Sequence, residues 1–365
     1  MDIYIIVILF FLPVYQLFVC MINVIFPQYI PHGASLTDTP KISVLIPMRN
    51  EEHNINNILT DLVLQTYKNL EIIVLDDNST DDTYTLASRW TNEYPNIKVI
   101  KGDDLPVGWL GKNWACHQLS VQANGEYMLY IDADVRLSPV AIQSAVYELI
   151  KYKLDLLSVF PHQHMHTWGE RVVIPLMHYI LTTMLPLIFV KKVQNNMLSA
   201  ANGQFMLFST NTYKKYHFHE KVRHEIAEDI HIARYMKLSH CNVGVYIGDN
   251  NITCRMYDSY KSAINGFAKN IHEMLSGSYV VAIAFVLLHF IVPVIFIACN
   301  EYVLFAIYIL MMLYIRVLSS IHTYQNVIIN VILYIPHIFI LFYLVVLNIN
   351  NRLQHKTVWK GRVIS

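Results

Sequence analysis

The chain has 365 residues, and its 27 basic and 27 acidic side chains cancel in a composition that is only 15% charged. No basic excess is left to meet a phosphate backbone, which argues against nucleic acid as a partner. Hydrophobic residues reach 54%, too many for a disordered or collagen-like chain. They crowd at the two ends, so the excess reads as membrane spans around a soluble middle.

The first element is Ile3 to Phe26, a run without charge. As a helix rising ~1.5 Å per residue it would reach about 36 Å, enough to cross a hydrocarbon core of ~30 Å. It starts at Met1-Asp2 and has neither the basic start nor the small-residue cleavage site of a signal peptide, so residues 1–27 are expected to form an anchor. Lys41 and Arg49 follow this run and nothing basic precedes it. The positive-inside rule then puts the middle of the chain in the cytoplasm of a multi-pass cell-membrane protein.

From Lys41 to about Ser278, short β-branched runs alternate with amphipathic stretches, the pattern of βαβ units on a mostly parallel sheet. Strands are expected at 42–47 (ISVLIP), 71–75, 97–101, 127–131 and 155–160. Between the first two, Ile55, Ile58, Leu59, Leu62 and Val63 share one face of a helix over 54–65. Acidic pairs follow two of the strands: Asp76-Asp77, and Asp132 with Asp134. Open α/β sheets bind ligands outside the carboxyl ends of their strands, so both pairs are expected to face one crevice. The Asp-Ala-Asp spacing can hold a hard divalent cation completed by water and phosphate oxygens, though the same motif also occurs as a solvated loop. Asp81 suits a helix cap as well as a ligand contact.

Further along, His162, His164 and His166 lie in a loop with no acidic or Cys partner nearby, poor support for a transition-metal site. Trp168 reads as an interface anchor or a stacking platform, and Glu170-Arg171 as structural or acceptor-loop residues. Val172 to Val190 is apolar enough to meet lipid but broken by Pro175 and Pro186, so residues 172–190 are expected to lie in the membrane plane or re-enter it, leaving the carboxylates before and after on one side. Residues 225–237 read as a helix burying Ile226, Ile230 and Ala233, with Glu228-Asp229 at its start; taken alone that is a surface charge pair.

Three more apolar runs, 279–298, 302–319 and 327–349, form a C-terminal membrane unit over 279–349. Arg316 within it should reach an interface or face protein, snorkelling being the simpler expectation. Three full crossings would leave the basic tail 350–365, with Arg352, Lys356, Lys360 and Arg362, on the side opposite the soluble middle, against the positive-inside rule. Two expectations follow: one run re-enters, around Pro336, or the rule fails here. The five cysteines are scattered and form no C-x-x-C pair, which suggests neither a disulfide framework nor a zinc cage.

In this order the motifs resemble the family 2 glycosyltransferases with a GT-A fold. The matching pieces are ISVLIPMRNEE at 42–52, LDDNSTDD at 75–82, GWLGKNWACHQ at 108–118, IDADV at 131–135 and AED at 227–229. NGQFMLF at 202–208, RMY at 255–257 and VWKGR at 358–362 look like a membrane-bound subgroup that glycosylates polyisoprenoid lipids, such as the diaponeurosporenoate glucosyltransferases and hopanoid-associated enzymes. The resemblance implies a Rossmann-like α/β GT-A domain over 41–278, with one N-terminal and about three C-terminal transmembrane helices. It also implies a UDP-sugar donor, a hexose such as glucose, a lipid acceptor and the lipid bilayer as surroundings.

Carried over by position, Asp77, with Asp76 beside it, would contact the uracil and ribose, and Lys112 would approach the nucleotide. Asp132 would meet ribose or metal, Asp134 would ligate a divalent metal, Mg²⁺ or Mn²⁺, and Asp229 would be the catalytic base. Glu51 would line the nucleotide pocket, or simply favour a helix N-terminus. The Q-x-x-R-W motif of processive members is missing after Glu228-Asp229, which weakens a short-polysaccharide synthase reading. A silent nucleotide-sugar-binding scaffold is the alternative from another class. Arg255 and Lys269 read as interfacial basic residues rather than site residues.

Overall fold

The computed structural model describes residues 1–354 together with the backbone of 358–359 and 362–363. Lys356, Lys360 and the side chains of the VWKGR segment therefore lie outside the described residues.

Apart from a two-stranded antiparallel ribbon of Val358–Trp359 and Arg362–Val363, ten strands form two sheets: β1 (Ile42–Met48), β2 (Leu70–Asp76), β3 (Ile97–Lys101), β4 (Tyr127–Ile131), β5 (Val135–Leu137), β6 (Leu156–Phe160), β7 (His162–Gln163), β8 (Phe205–Ser209), β9 (Val243–Ile247) and β10 (Ile252–Cys254). The larger sheet has the order β3-β2-β1-β4-β8-β6-β9. Strands β3, β2, β1 and β4 run parallel, β8 is antiparallel to both neighbours, and β6 and β9 are parallel to each other. β5, β10 and β7 make a small second sheet.

The β1 strand is buried almost throughout, as a central parallel strand covered on both faces must be. The strands read from sequence are all present. β8 and β9 were not anticipated, although they supply two of the seven strands in the main sheet.

The helices are α1 (Ile3–Ile25), α2 (Ile55–Val63), α3 (Thr83–Trp90), α4 (Gly111–Gln122), α5 (Ala141–Lys151), α6 (Trp168–Val173), α7 (Pro175–Met184), α8 (Leu187–Lys192), α9 (Thr210–Tyr216), α10 (Phe218–Lys221), α11 (Glu228–Leu238), α12 (Tyr260–Met274), α13 (Tyr279–Ala298), α14 (Tyr302–His322), α15 (Val327–Ile332) and α16 (Tyr334–Leu353). α2 buries Ile55, Ile58, Leu59 and Leu62 against the sheet, the face its periodicity marks. α11 begins three residues later than expected. Its first turn is preceded by a loop pinned to α4, where Asn113 Nδ2 donates to Val222 O at 2.9 Å and Glu225 O at 3.1 Å. Ile226 and Ile230 are consequently only half-buried; Ala233 is buried as expected, and Ile232 and Met236 fill the core beside it.

Four helices, α1, α13, α14 and α16, are long and apolar enough to cross a membrane. The 327–349 run is not one helix: it breaks at Leu333 into α15 and α16, with Pro336 in the first turn of α16, where its missing N–H costs no intrahelical bond. The 172–190 segment is divided among α6, α7 and α8. At ~1.5 Å per residue, α7 is about 15 Å long and cannot span.

α7 is fastened to α1, where Asn23 Nδ2 donates to Thr182 O and Leu185 O, both at 2.9 Å. Thr182 and Ser319 join it to α14 through a 2.8 Å hydroxyl pair. Arg316 does not snorkel. It is 3% exposed, with its guanidinium 4.2 Å from the centroid of Tyr179 on α7. The exposed Arg255 is held by an ion pair: its Nη2 donates to Glu170 Oε1 at 2.9 Å, and Glu170 is fully buried. Cys20, Cys116, Cys241 and Cys254 are buried thiols and Cys299 is exposed.

Candidate active site

The site forms at the carboxyl ends of β1, β2 and β4. The loops after β1 and β2 are laced together: Arg49 Nη1 donates to Asp77 O at 2.6 Å, Asn50 N to Ser79 Oγ at 3.0 Å, and Thr80 N to Asn50 Oδ1 at 2.8 Å. Both turns pass through a left-handed residue, Asn50 and Asn78, a conformation that Asn tolerates better than bulkier residues. The lacing fixes Asp77 against β1, where its N–H donates to Met48 O at 2.7 Å. Asp81 works locally, accepting from Thr83 N at 3.1 Å and Glu52 N at 3.2 Å. Asp76 accepts from Ser79 N at 3.3 Å, so it shapes the turn beside the cavity while Asp77 lines it.

A cavity of about 500 Å³ opens here, within the range of small-ligand sites. Six of the seven residues singled out from sequence line it: Glu51, Asp77, Lys112, Asp132, Asp134 and Asp229. Glu51 also accepts from Asn54 Nδ2 at 2.8 Å, so it serves the start of α2 and the cavity wall together. Lys269 lines the cavity too, contrary to its reading as an interfacial residue.

The unanticipated β8 is what joins the two halves of the site. Its antiparallel register sets Phe205 opposite Ile131, which brings the Asn202–Gln204 turn beside the end of β4; Asp132 N donates to Gln204 O at 3.2 Å. From this turn Gly203 N donates to Asp229 Oδ2 at 2.8 Å, while Ile230 N donates to Asp229 Oδ1 at 2.8 Å. A Cβ on Gly203 would stand 3.0 Å from Lys112 Nζ and 3.1 Å from Glu228 Oε1, so a larger residue would crowd the charged groups.

Lys112 is the central cation. Its Nζ lies 3.1 Å from Asp132 and 3.1 Å from Glu228 Oε1. Burial alone would lower its pKa, but the Asp132 and Glu228 carboxylates outweigh it and hold Lys112 well above the ordinary lysine range. Glu228 is therefore no surface charge: it is 8% exposed and paired inside the site.

Burial, with Glu228 next to it, raises the Asp229 carboxyl to about 6. Burial also raises Asp134, with Asp132 and Glu51 adding like charge. Asp134 Oδ1 is buried with no hydrogen-bond partner among the described residues. A divalent cation would reverse that cost. The donor set of Asp134 and Asp132 is all oxygen, and no cluster of three His, Cys, Asp or Glu is found among the described residues. Two carboxylates suit a hard cation that keeps water and phosphate oxygens in its remaining positions, so the residues fit Mg²⁺ or Mn²⁺.

The lining also holds apolar side chains, Met177 of α7, Met256, and Phe267 and Met274 of α12, beside the polar Ser262, Asn265, Lys269 and Asn270 of α12. α7 packs in turn against the long apolar helices α1 and α14, so the cavity adjoins the membrane-type bundle.

Residues 43–216 match the family model described as Glycosyl transferase family 2. Over these residues the chain is similar to the family 2 glycosyltransferases. It is 25% identical over 237 residues to a 4,4'-diaponeurosporenoate glycosyltransferase of Staphylococcus haemolyticus, covering 64% of this chain and 61% of that one. A Staphylococcus aureus protein of the same name is 26% identical over 241 residues, 65% of this chain and 62% of that one. The chain thus spans about three fifths of the length of these curated relatives. A mannosyltransferase from Pyrobaculum calidifontis, solved with GDP-Man and Mn²⁺, superposes with a TM-score of 0.59 over 89% of this chain and 95% of that chain at 16% identity. The α/β domain thus has the GT-A fold, with a mostly parallel sheet, and four candidate membrane helices flank it.

Sequence reasoning missed Glu228 as a site residue and Gly203 altogether. The signal for both was present: NGQ at 202–204 and AED at 227–229 were singled out, but only the antiparallel return of β8 makes them neighbours.

Proposed function

We propose that the protein is an inverting, metal-dependent glycosyltransferase that moves one hexose from a UDP-sugar to a lipid acceptor, a polyisoprenoid bearing a carboxylate or hydroxyl. The observation that carries this reading is a single cavity lined both by Asp132, Asp134, Lys112 and Asp229 and by the apolar side chains of Met177, Met256, Phe267 and Met274. Flexible, polarisable methionines suit an irregular apolar substrate. The names of the staphylococcal relatives point the same way, toward a carotenoid acid as acceptor.

In this mechanism Asp77 and Glu51 receive the nucleoside. Asp134, with Asp132 beside it, would hold the divalent cation, whose charge offsets that building on the departing diphosphate. Lys112 keeps Asp132 and Glu228 in register. The acceptor oxygen attacks the anomeric carbon from the face opposite the diphosphate; the new C–O bond forms as the bond to the β-phosphate oxygen breaks. Where the acceptor is a hydroxyl, Asp229 accepts its proton, a task that suits a carboxyl raised toward neutrality. Where it is a carboxylate, already ionised near pH 7, Asp229 has only to orient it. The catalytic domain is read as cytoplasmic, from the basic residues that follow α1.

The test is to incubate the purified protein with UDP-glucose, UDP-GlcNAc or GDP-mannose, Mg²⁺ or Mn²⁺, and either a C30 carotenoid acid or a polyisoprenol, and to weigh the lipid products by mass spectrometry. One added hexose, dependent on UDP-sugar and metal and absent in Asp134→Ala, is expected. A ladder of products would replace this reading with a polymer synthase. Binding of UDP-sugars without turnover on any acceptor would favour the scaffold.

A further inference from the structure

Of the four helices long enough to cross a membrane, α16 differs in how its ends are held. The preceding helix α14 finishes on the side of the catalytic domain, because Tyr29 OH donates to His322 O at 2.9 Å and Tyr29 itself bridges to Ile247 of β9. α15 then folds back along α14: Asn330 Nδ2 donates to Ser320 Oγ and to Gln325 Oε1, both at 2.9 Å.

α16 runs from that turn back to the catalytic domain. Near its start His337 Nε2 lies 3.0 Å from Arg171 O of α6. Phe290, midway along α13, sits 5.1 Å from Phe339 and 6.0 Å from Phe342 between ring centroids. Near its end Asn348 Nδ2 donates to Ala268 O of α12 at 2.6 Å, and Asn348 Oδ1 accepts from Tyr279 OH at 2.8 Å. Tyr279 is the first residue of α13, just past α12. The far ends of the other spans lie elsewhere, where Met1 N at the start of α1 donates to Glu301 Oε1, in the turn between α13 and α14, at 2.7 Å. No hydrogen bond or ring contact found among the described residues takes α16 to that level.

From this we infer that α15 and α16 form a re-entrant hairpin in the leaflet facing the catalytic domain. Only α1, α13 and α14 cross, and residue 354 emerges on the same side as the active site. The surface of the hairpin fits lipid acyl chains. Ile335, Phe339, Phe342, Tyr343 and Val346 recur at helical spacing and are exposed at 44–57%, while His337, Ile338, Leu341, Leu344, Val345 and Asn348 pack inward. That apolar stripe is continuous with α13, which carries its own exposed Val280, Ile283, Leu287, Ile291 and Val294 and packs against α16. Three crossings also let Arg352 obey the positive-inside rule together with Lys41 and Arg49, the conflict that the sequence left open.

The experiment is sided cysteine labelling of the full-length protein in sealed vesicles with a membrane-impermeant maleimide. The exposed native Cys299, in the turn between α13 and α14, marks the far side. In a Cys299→Ser background, Glu93→Cys, on the exposed loop before β3, marks the catalytic side. Gln354→Cys is expected to react from the Glu93→Cys side. Reaction from the Cys299 side would overturn the hairpin. A protease site appended after Ser365 is read in the same vesicles, so that poor reactivity at position 354 still leaves a decision: cleavage from the catalytic side supports the hairpin, and cleavage from the far side refutes it.

Discussion

Replacing Asp229 by Asn should separate stability from activity. Burial lifts this carboxyl from about 3.8 to about 6, and ~1.4 kcal/mol per pKa unit makes its ionised form at pH 7 cost the fold about 3 kcal/mol. The sign matters. A raised carboxyl pKa stabilises the fold fully below the unfolded value, and that stabilisation is lost as pH rises through the folded value. Above pH 6 the parent pays the whole cost, and Asn pays none of it.

Against that gain, Asn presents one oxygen where the carboxylate has two. One of the N–H groups of Gly203 and Ile230, each now 2.8 Å from an Asp229 oxygen, would face an NH₂, a loss of about 1–3 kcal/mol. The two effects nearly cancel at pH 7.5, so Asp229→Asn should melt within a few degrees of the parent. Its advantage over the parent should grow between pH 4 and 7. Its turnover with a hydroxyl acceptor should fall by ~10²–10⁴, the usual contribution of a positioned base, and with a carboxylate acceptor by much less. Melting curves across pH and single-turnover assays with both acceptors measure this. Equal, severe losses with both acceptors would refute the division of labour, and a variant whose relative stability ignores pH would refute the electrostatic premise.

Other outcomes follow from the same geometry. Asp134→Asn should reduce metal-dependent turnover by ~10²–10³, the scale for removing an electrostatic stabiliser; EDTA should abolish activity and Mn²⁺ restore it in the parent but not in the variant. Lys112→Met leaves Asp132 and Glu228 facing each other without their cation, and should cost about 1–3 kcal/mol in chemical denaturation because both are charge-assisted partners. Glu273 receives Arg234 Nη1 at 2.6 Å and lies 3.4 Å from His231 Nε2, joining α11 to α12. The hydrogen bond from His231, with Arg234, draws Glu273 down to about 2, and Glu273 in turn raises His231. The Glu273 share of stability is present above its unfolded value near 4.5 and lost toward pH 2; the His231 share is present below 6.5 and lost above its raised folded value. Glu273→Gln should therefore destabilise most between about pH 5 and 6.5, as read by melting temperature across pH.

The strands carrying the acidic loops were legible because buried parallel strands write themselves as β-branched runs, and Asp77, Asp132 and Asp134 follow directly from where those runs stop. β8 was not legible: FMLFS is five residues of apolar chain with no periodicity to set a strand apart from a helix. The cost of missing it was specific, since it alone explains why Asp229 lies near Asp132. Glu228 looked like a solvated charge because its partner, Lys112, is 116 residues away. Arg316 misled for the same reason: sequence shows a cation but not the buried ring that receives it.

The place of Arg316 bears on how the protein is made. A guanidinium in the middle of an apolar helix opposes insertion by ~3 kcal/mol, and the aromatic face that accepts it belongs to α7, within a segment synthesised more than 130 residues earlier. Helix α14 can settle only after that earlier segment has docked on α1, so the segment between β7 and β8 acts as a template for the last stages of assembly in the bilayer.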